Sequence, residues 1–387
     1  MSRSTILVLH LAGQYPLGGI GWQAIHHLVG LQRLGHDVYY VEDSGAPPYD
    51  PHARKLAEDP SSTVAALART MERIGFGERW AYHDVSGGRC YGTSLARLRE
   101  LYRRADALLN VCGATWLREE HLRVPLRLYV QTDPVLDQVK VARGERSAIS
   151  ALEAHTHHFT YGENFGSPDC PVPLLRFTWR PTRPPVVVDL WEPRFTPKAP
   201  HFTTVGTWHN PGRDVILDGQ RYVWSKHGNF DRFIDLPRHT TQTFELALEF
   251  YNLEDAARYR AHGWVVVDPY PRSRDLEIYQ EYVGSSRGEF TVAKDVVART
   301  RCGWFSDRSA SYLAAGKPVI TQDTGFGKFI PTGQGLFAFG TMDEIVAAID
   351  QINADPSAHC RAARELACEY FDAERVLGRM LAEVGLG

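Results

Sequence analysis

The sequence is poor in the features that announce metal, disulfide or membrane chemistry. Its six cysteines (Cys90, Cys112, Cys170, Cys302, Cys360 and Cys368) are scattered over 387 residues and include no C-x-x-C pair. That argues against a zinc ribbon and a secreted disulfide framework, and favours a reducing, cytoplasmic setting. Net charge is only −3, and no polybasic run is present. No nucleic-acid-binding field or anionic-membrane patch is therefore expected. The apolar run Ile6–Leu11 is too short for a signal-peptide core or a membrane span and reads as a buried strand. His155, His157 and His158 stand close in sequence, but no carboxylate or cysteine pattern accompanies them, so they read as structural and no metal site is expected. Repeats and low-complexity stretches are missing as well.

What is present is the composition of a soluble globular protein, 43% hydrophobic and 23% charged, in a chain long enough for two domains. Thr5–Leu11 reads as a central parallel strand, followed by the glycine-rich turn Pro16-Leu17-Gly18-Gly19-Ile20-Gly21. Trp22, Ile25, Leu28, Val29 and Leu31 to Leu34 then recur at helical spacing, and Gly35-His36-Asp37 ends that helix before a strand at Val38–Val41. Further strands are predicted at Ala107–Val111, Leu126–Val130 and His158–Tyr161. The last two lead into the polar segments Gln131-Thr132-Asp133 and Gly162-Glu163-Asn164, where open α/β sheets hold ligands. A proline-rich stretch over 168–200 reads as an interdomain connection.

The pattern then restarts. Phe202–Val205 and Trp264–Val267 read as strands, Thr240–Leu248 as a helix, and Val292–Thr300 as a helix. Ser285, Ser286 and Arg287 read as a second loop leading into a helix. The most telling stretch runs from Gly303 to Ile320. Asp307, Ser309 and Ser311 place capping side chains around a helix start, where unpaired N–H groups favour an anion. Ala315-Gly316-Lys317-Pro318-Val319 is a stop-and-turn into a buried strand at Val319–Thr321. Asp343–Asn353, Pro356–Phe371 and Ala373–Val384 read as closing helices.

The Gly18-Gly19 loop, the helix ending Leu31-Gln32-Arg33-Leu34-Gly35-His36-Asp37-Val38, and Ala315-Gly316-Lys317-Pro318-Val319 together resemble a family. It is the nucleotide-sugar-dependent glycosyltransferases of the GT-B class, in a divergent bacterial form. The resemblance implies two Rossmann-like, doubly wound α/β domains facing across a cleft, with C-terminal helices. The acceptor domain would span 1–185 and the donor domain 186–365, with 366–387 packing back on the first. Aligned on Gly316 and Pro318, the two donor-site glutamates of better-known members fall at Gly303 and Ser311, so that acidic pair is missing.

The resemblance further implies metal-independent sugar transfer from a nucleotide-diphosphate sugar, with no other cofactor, to an acceptor hydroxyl or similar nucleophile. Backbone around Ser309 and Ser311, with Gly18 and Gly19 opposite, would hold the diphosphate. Ser285, Ser286 and Arg287 would reach base, ribose or phosphate. Asp307, Arg308 and Ser309 stand nearest to the missing glutamates, and Asp323 would bind sugar hydroxyls. Lys226 would lend positive charge, with Arg213, Arg232 and Arg308 as further sources. Asp133 is the leading catalytic carboxylate, with Glu163 and His10 behind it. Trp208, Trp224 and Trp304 are candidates for stacking on base or sugar. A nucleotide-sugar epimerase or hydrolase of the same fold, or a non-catalytic nucleotide-sugar-binding protein, remain alternatives.

Overall fold

A computed structural model describes residues 3–51, 53–196, 198–250 and 252–387. Pro197 of the proline-rich segment lies outside them. The first strand, β1 (Thr5–Leu9), is buried along Ile6, Leu7, Val8 and Leu9, because helices cover both faces of its sheet. It pairs in parallel with β2 (Asp37–Glu42), which leads to β3 (Trp80–Asp84) and the antiparallel edge β4 (Arg89–Tyr91). On its other side lie β5 (Ala107–Val111), β6 (Leu126–Gln131), β7 (His157–Thr160) and the edge strand β8 (Trp179–Pro181). The order β8-β7-β6-β5-β1-β2-β3-β4 reverses direction between β1 and β5.

The second sheet is parallel throughout. Its strands are β9 (His201–Thr207), β10 (Thr243–Glu249), β11 (Val265–Val267), β12 (Gly288–Thr291), β13 (Val319–Gln322) and β14 (Leu336–Phe339). They run in the order β11-β10-β9-β12-β13-β14, so the reversal falls between β9 and β12. Such a reversal opens a crevice at the carboxyl ends of the strands.

One expectation is overturned here. The segment 240–248 is not a helix: Thr243–Glu249 is the strand β10, hydrogen-bonded between β9 and β11. Glu, Leu and Ala favour helices locally, but pairing on both edges outweighs that preference.

Three helices position the cleft. Helix α1 (Gly18–Arg33) follows β1 and buries Trp22, Ile25, Leu28 and Leu31. Helix α2 (Leu276–Ser285) crosses its first turn so closely that a Cβ on Gly18 would stand 2.3 Å from the Asp275 carbonyl oxygen. Helix α3 (Asp307–Ala314) ends at Gly316, whose φ of +69° is left-handed. There the N–H groups of Gly316 and Lys317 close back on Leu313 and Tyr312, each at 2.9 Å. Trp22 joins the domains behind the cleft: its ring centroid lies 4.9 Å from that of Trp191, and its Nε1 donates to Leu276 O at 3.0 Å. The last helix, α4 (Ala373–Ala382), returns to the first domain and lies on α1 beside Gly30.

Candidate active site

A cleft of about 390 Å³ opens where the carboxyl ends of the two sheets face each other. One wall is the start of α1, with Leu17, Gly19, Ile20 and Gln23. The floor is the crevice of the second sheet: Val205, Gly206 and Thr207 at the end of β9, Lys294 just past β12, and Ser306, Asp307 and Arg308 at the start of α3. A volume of this size suits a small-molecule ligand.

Charge is concentrated on that floor. Arg308 is pinned by buried Glu289 of β12, with which it shares an ion pair, and donates to Val205 O at 3.0 Å and Thr291 Oγ1 at 2.8 Å. Lys294 bridges to the other domain, its Nζ lying 2.7 Å from Asp133 Oδ1 and 4.3 Å from the centroid of the Trp224 ring. Lys226 is buried and makes no side-chain hydrogen bond or ion pair among the described residues. Burial, and next the neighbouring Arg308, push its amine well below the usual lysine range. An anion among these three basic groups would relieve that penalty, and Ser306, Asp307 and Arg308, which open α3, line the same space.

Asp307 faces the opposite domain. Tyr161 Oη donates to its Oδ1 at 3.4 Å, and Gln23 also hydrogen-bonds it. Burial, with Asp133 adding repulsion, raises its carboxyl to about 6 despite those bonds. Gln23 Oε1 in turn lies 2.9 Å from His10 Nε2 and accepts from Cys112 Sγ at 3.4 Å.

Of the residues singled out from sequence, Gly19, Lys226, Asp307 and Arg308 line the cleft. Asp133 reaches it through Lys294. His10 lies one layer back, buried and pushed down to about 3, so it is neutral and acts on the cleft only through Gln23. Gly18 serves the close contact with α2. Ser309 and Ser311 start the right helix but turn inward: Ser309 is fully buried, and Ser311 Oγ donates to Asp307 O at 3.0 Å. The N-cap is Ser306, and it lines the cleft.

Asp323 is held away from the cleft, 2.8 Å from Arg301 Nη1 and 2.8 Å from the Gly325 N–H. Ser285, Ser286 and Arg287 close α2 rather than open a helix, and their segment leads into the amino end of β12. The two serine hydroxyls donate back to Tyr282 O and Val283 O, and Arg287 pairs with Asn353. They therefore sit at the wrong end of the sheet for this cleft. Glu163 is paired with Arg183 at 2.8 Å, while Arg213 and Arg232 are exposed. Trp208 is core, stacked on Phe250 at 4.4 Å; Trp224 is buried under Lys294; Trp304 alone of the three lines the cleft, fixed by Nε1 to Thr132 O at 2.9 Å.

Gln23, Lys294, Glu249, Asp268 and Tyr270 line the cleft without having been singled out from sequence. Only Asp268-Pro269-Tyr270 carried a signal, as a polar turn just past a strand. Among the described residues, no group of three or more His, Cys, Asp or Glu side chains is placed to hold a metal ion.

By sequence, the chain matches no family profile and no curated protein. Solved structures do match along its full length. An α-glucosyltransferase in complex with UDP and a 13-mer DNA superposes with a TM-score of 0.61 at 10% identity, covering 99% of this chain and 100% of that one. A glycosyltransferase from Rickettsia africae gives 0.54 at 12% identity, over 99% and 98% of the two chains. HepE of Anabaena, in complex with UDP and glucose, gives 0.53 at 11% identity, over 99% of each. The chain has the GT-B fold. In GT-B terms, β1 to β8 form the first Rossmann-like sheet, β9 to β14 the second, and the cleft lies between them.

Proposed function

We propose that this protein is a glycosyltransferase that moves a sugar from a nucleotide-diphosphate sugar to an acceptor nucleophile. The observation that carries the reading is Lys226, a buried amine with no side-chain partner among the described residues, beside Arg308 in the cleft at the strand-order reversal of the second GT-B sheet. A diphosphate suits such a floor. Lys226, Arg308, Lys294 and the N–H groups of α3 would carry its charge without a metal ion or other cofactor.

During transfer the C1–O bond to the β-phosphate breaks and its electron pair passes to the phosphate oxygen. The acceptor oxygen bonds to C1, and its proton leaves to a carboxylate or to the departing phosphate. Negative charge thus grows on the β-phosphate, where Lys226 and Arg308 stand. Asp133 and Asp307 flank the space above them. Asp307, at about 6, is the group suited to exchange a proton near neutrality. Gln23 and Tyr161 reach it from the first domain, so domain closure completes the site.

A net charge of −3 favours a small-molecule or glycan acceptor over nucleic acid. No helix among the described residues is long and apolar enough to cross a membrane, and a cytoplasmic location is proposed with the rest. The test is release of nucleoside diphosphate from a panel of nucleotide sugars, with acceptor mixtures and with and without EDTA. Turnover abolished in Lys226→Met, and insensitive to EDTA, supports the reading. Binding without turnover would favour a nucleotide-sugar-binding protein, and absence of binding to any nucleotide sugar would overturn it.

A further inference from the structure

Three carboxylates line the cleft, and two of them are engaged. Asp268 pairs with Arg54 at 2.9 Å and accepts from the Tyr270 N–H at 3.0 Å. Asp307 takes Gln23 and Tyr161. Glu249 is half-buried and has no side-chain hydrogen bond or ion pair among the described residues.

Its position is informative. Glu249 is the last residue of β10 and lies in register with Thr207 at the end of β9. The cations gather over the crevice between β9 and β12. With strands about 4.8 Å apart, Glu249 stands roughly 7 Å to one side of that crevice. This is the reach of a ribose ring from a phosphate held there. One strand further on come Pro269 and Tyr270, faced by Tyr49 and Pro51 from the first domain, and these offer flat surfaces to a base. Read across the sheet, the cleft presents cations, then a free carboxylate, then rings. Nucleotide-binding Rossmann sheets place an acidic side chain beyond their second strand to receive ribose hydroxyls, and β10 is the second strand of this sheet.

We infer that Glu249 accepts hydrogen bonds from the 2′- and 3′-hydroxyls of a ribose, so that the donor is a ribonucleoside diphosphate sugar and 2′-deoxyribonucleotides are selected against. The inference rests on the nucleotide-sugar reading and narrows it.

The test measures affinities of UDP, GDP, ADP and CDP, each beside its 2′-deoxy counterpart, with TDP and inorganic pyrophosphate, on the full chain and on Glu249→Gln. The wild type should prefer a ribonucleotide over its deoxy form by about 10- to 100-fold, the factor that goes with one hydrogen bond to a charged group. In Glu249→Gln the ratio should fall towards one while pyrophosphate affinity is unchanged. Glu249→Asp, which keeps the charge but withdraws it, should lower the ratio too and serves if the glutamine variant does not fold. Nucleoside diphosphate binding with an equal ratio in wild type and variants would overturn this inference alone. Failure of every nucleoside diphosphate to bind would overturn the nucleotide-sugar reading, and this inference with it.

Discussion

Arg308 and Glu289 form a closed pair in the floor of the cleft: the guanidinium is gripped from below by a fully buried carboxylate, and the charge of each is largely cancelled by the other. Lys226 beside them has no such partner. The unpaired basic group of the floor is therefore Lys226, whose charged form burial disfavours, and it is the group with most to gain from an anion.

Replacing Lys226 with methionine should consequently stabilise the empty protein while disabling it. Burial lowers the amine's pKa, so the unfolded chain binds more protons and wild-type stability rises with pH. Lys226→Met should gain about 1–2 kcal/mol near neutrality, with the gain shrinking as pH rises. Nucleoside diphosphate affinity should drop about 10- to 100-fold. Thermal melts across pH, paired with calorimetric titration, check both halves.

Asp307 titrates in the opposite sense. Its folded value of about 6 lies above the ordinary 3.8, so the folded state holds the extra proton and wild-type stability falls as pH rises through that window. Asp307→Asn should match wild type near pH 4 and exceed it by about 2 kcal/mol above pH 6, allowing for water in the cleft. Sugar transfer should be lost at both pH values. Denaturant midpoints at the two pH values give the stability difference.

Glu42 is a second buried carboxyl, raised to about 8 by burial although the N–H groups of Gly13 and Gln14 donate to it at 2.9 Å each. Through them it fixes the loop that precedes α1. Glutamine can accept the same two bonds without ionising. Glu42→Gln should therefore resemble wild type near pH 4, gain on it between pH 4.5 and about 8, and level off above. The gain should be on the order of 3 kcal/mol. Glu42→Ala leaves both N–H groups unpaired and should lose about 1–3 kcal/mol at pH 4.

Gly18 tests the contact between domains. A methyl there would stand 2.3 Å from Asp275 O and 2.5 Å from Tyr279 Cβ, on a helix that cannot yield at one atom. Gly18→Ala should cost about 1–3 kcal/mol and spread the domains. Small-angle scattering should report a larger radius of gyration, and donor affinity should fall with it.

The fold was legible because its signals are local. The buried run at Ile6–Leu9, the glycine that ends α3 at Gly316 and the proline after it each carry their meaning within a few residues. The site was legible only in part. Asp307 and Arg308 open a recognisable helix, but which way Ser309 and Ser311 turn depends on what packs against that helix. Gln23 belongs to the site because two domains meet. Lys294 belongs to it because β12 ends just before it, although the sequence reads there as a helix over 292–300 while the helix spans only Asp295–Arg299. The serines at 285 and 286 carry helix-start chemistry at a helix end, and side-chain type alone does not distinguish the two. At β10 the residues favour a helix and only the neighbouring strands decide otherwise.

The chain passes between the domains twice, and the two passages are stitched together. Val186 on the outward passage receives the Ala373 N–H at 2.9 Å and donates its own to Phe371 O at 2.7 Å on the return. Arg364 on the return adds further ties, donating to Val188 O at 2.9 Å and to Trp191 O at 2.6 Å. The two passages are thus fastened side by side, on a body in which Tyr161 and Gln23 of the first domain meet Asp307 of the second. Cutting the chain after residue 366 would remove the bonds that Val186 makes to Phe371 and Ala373, leaving the outward passage without that support.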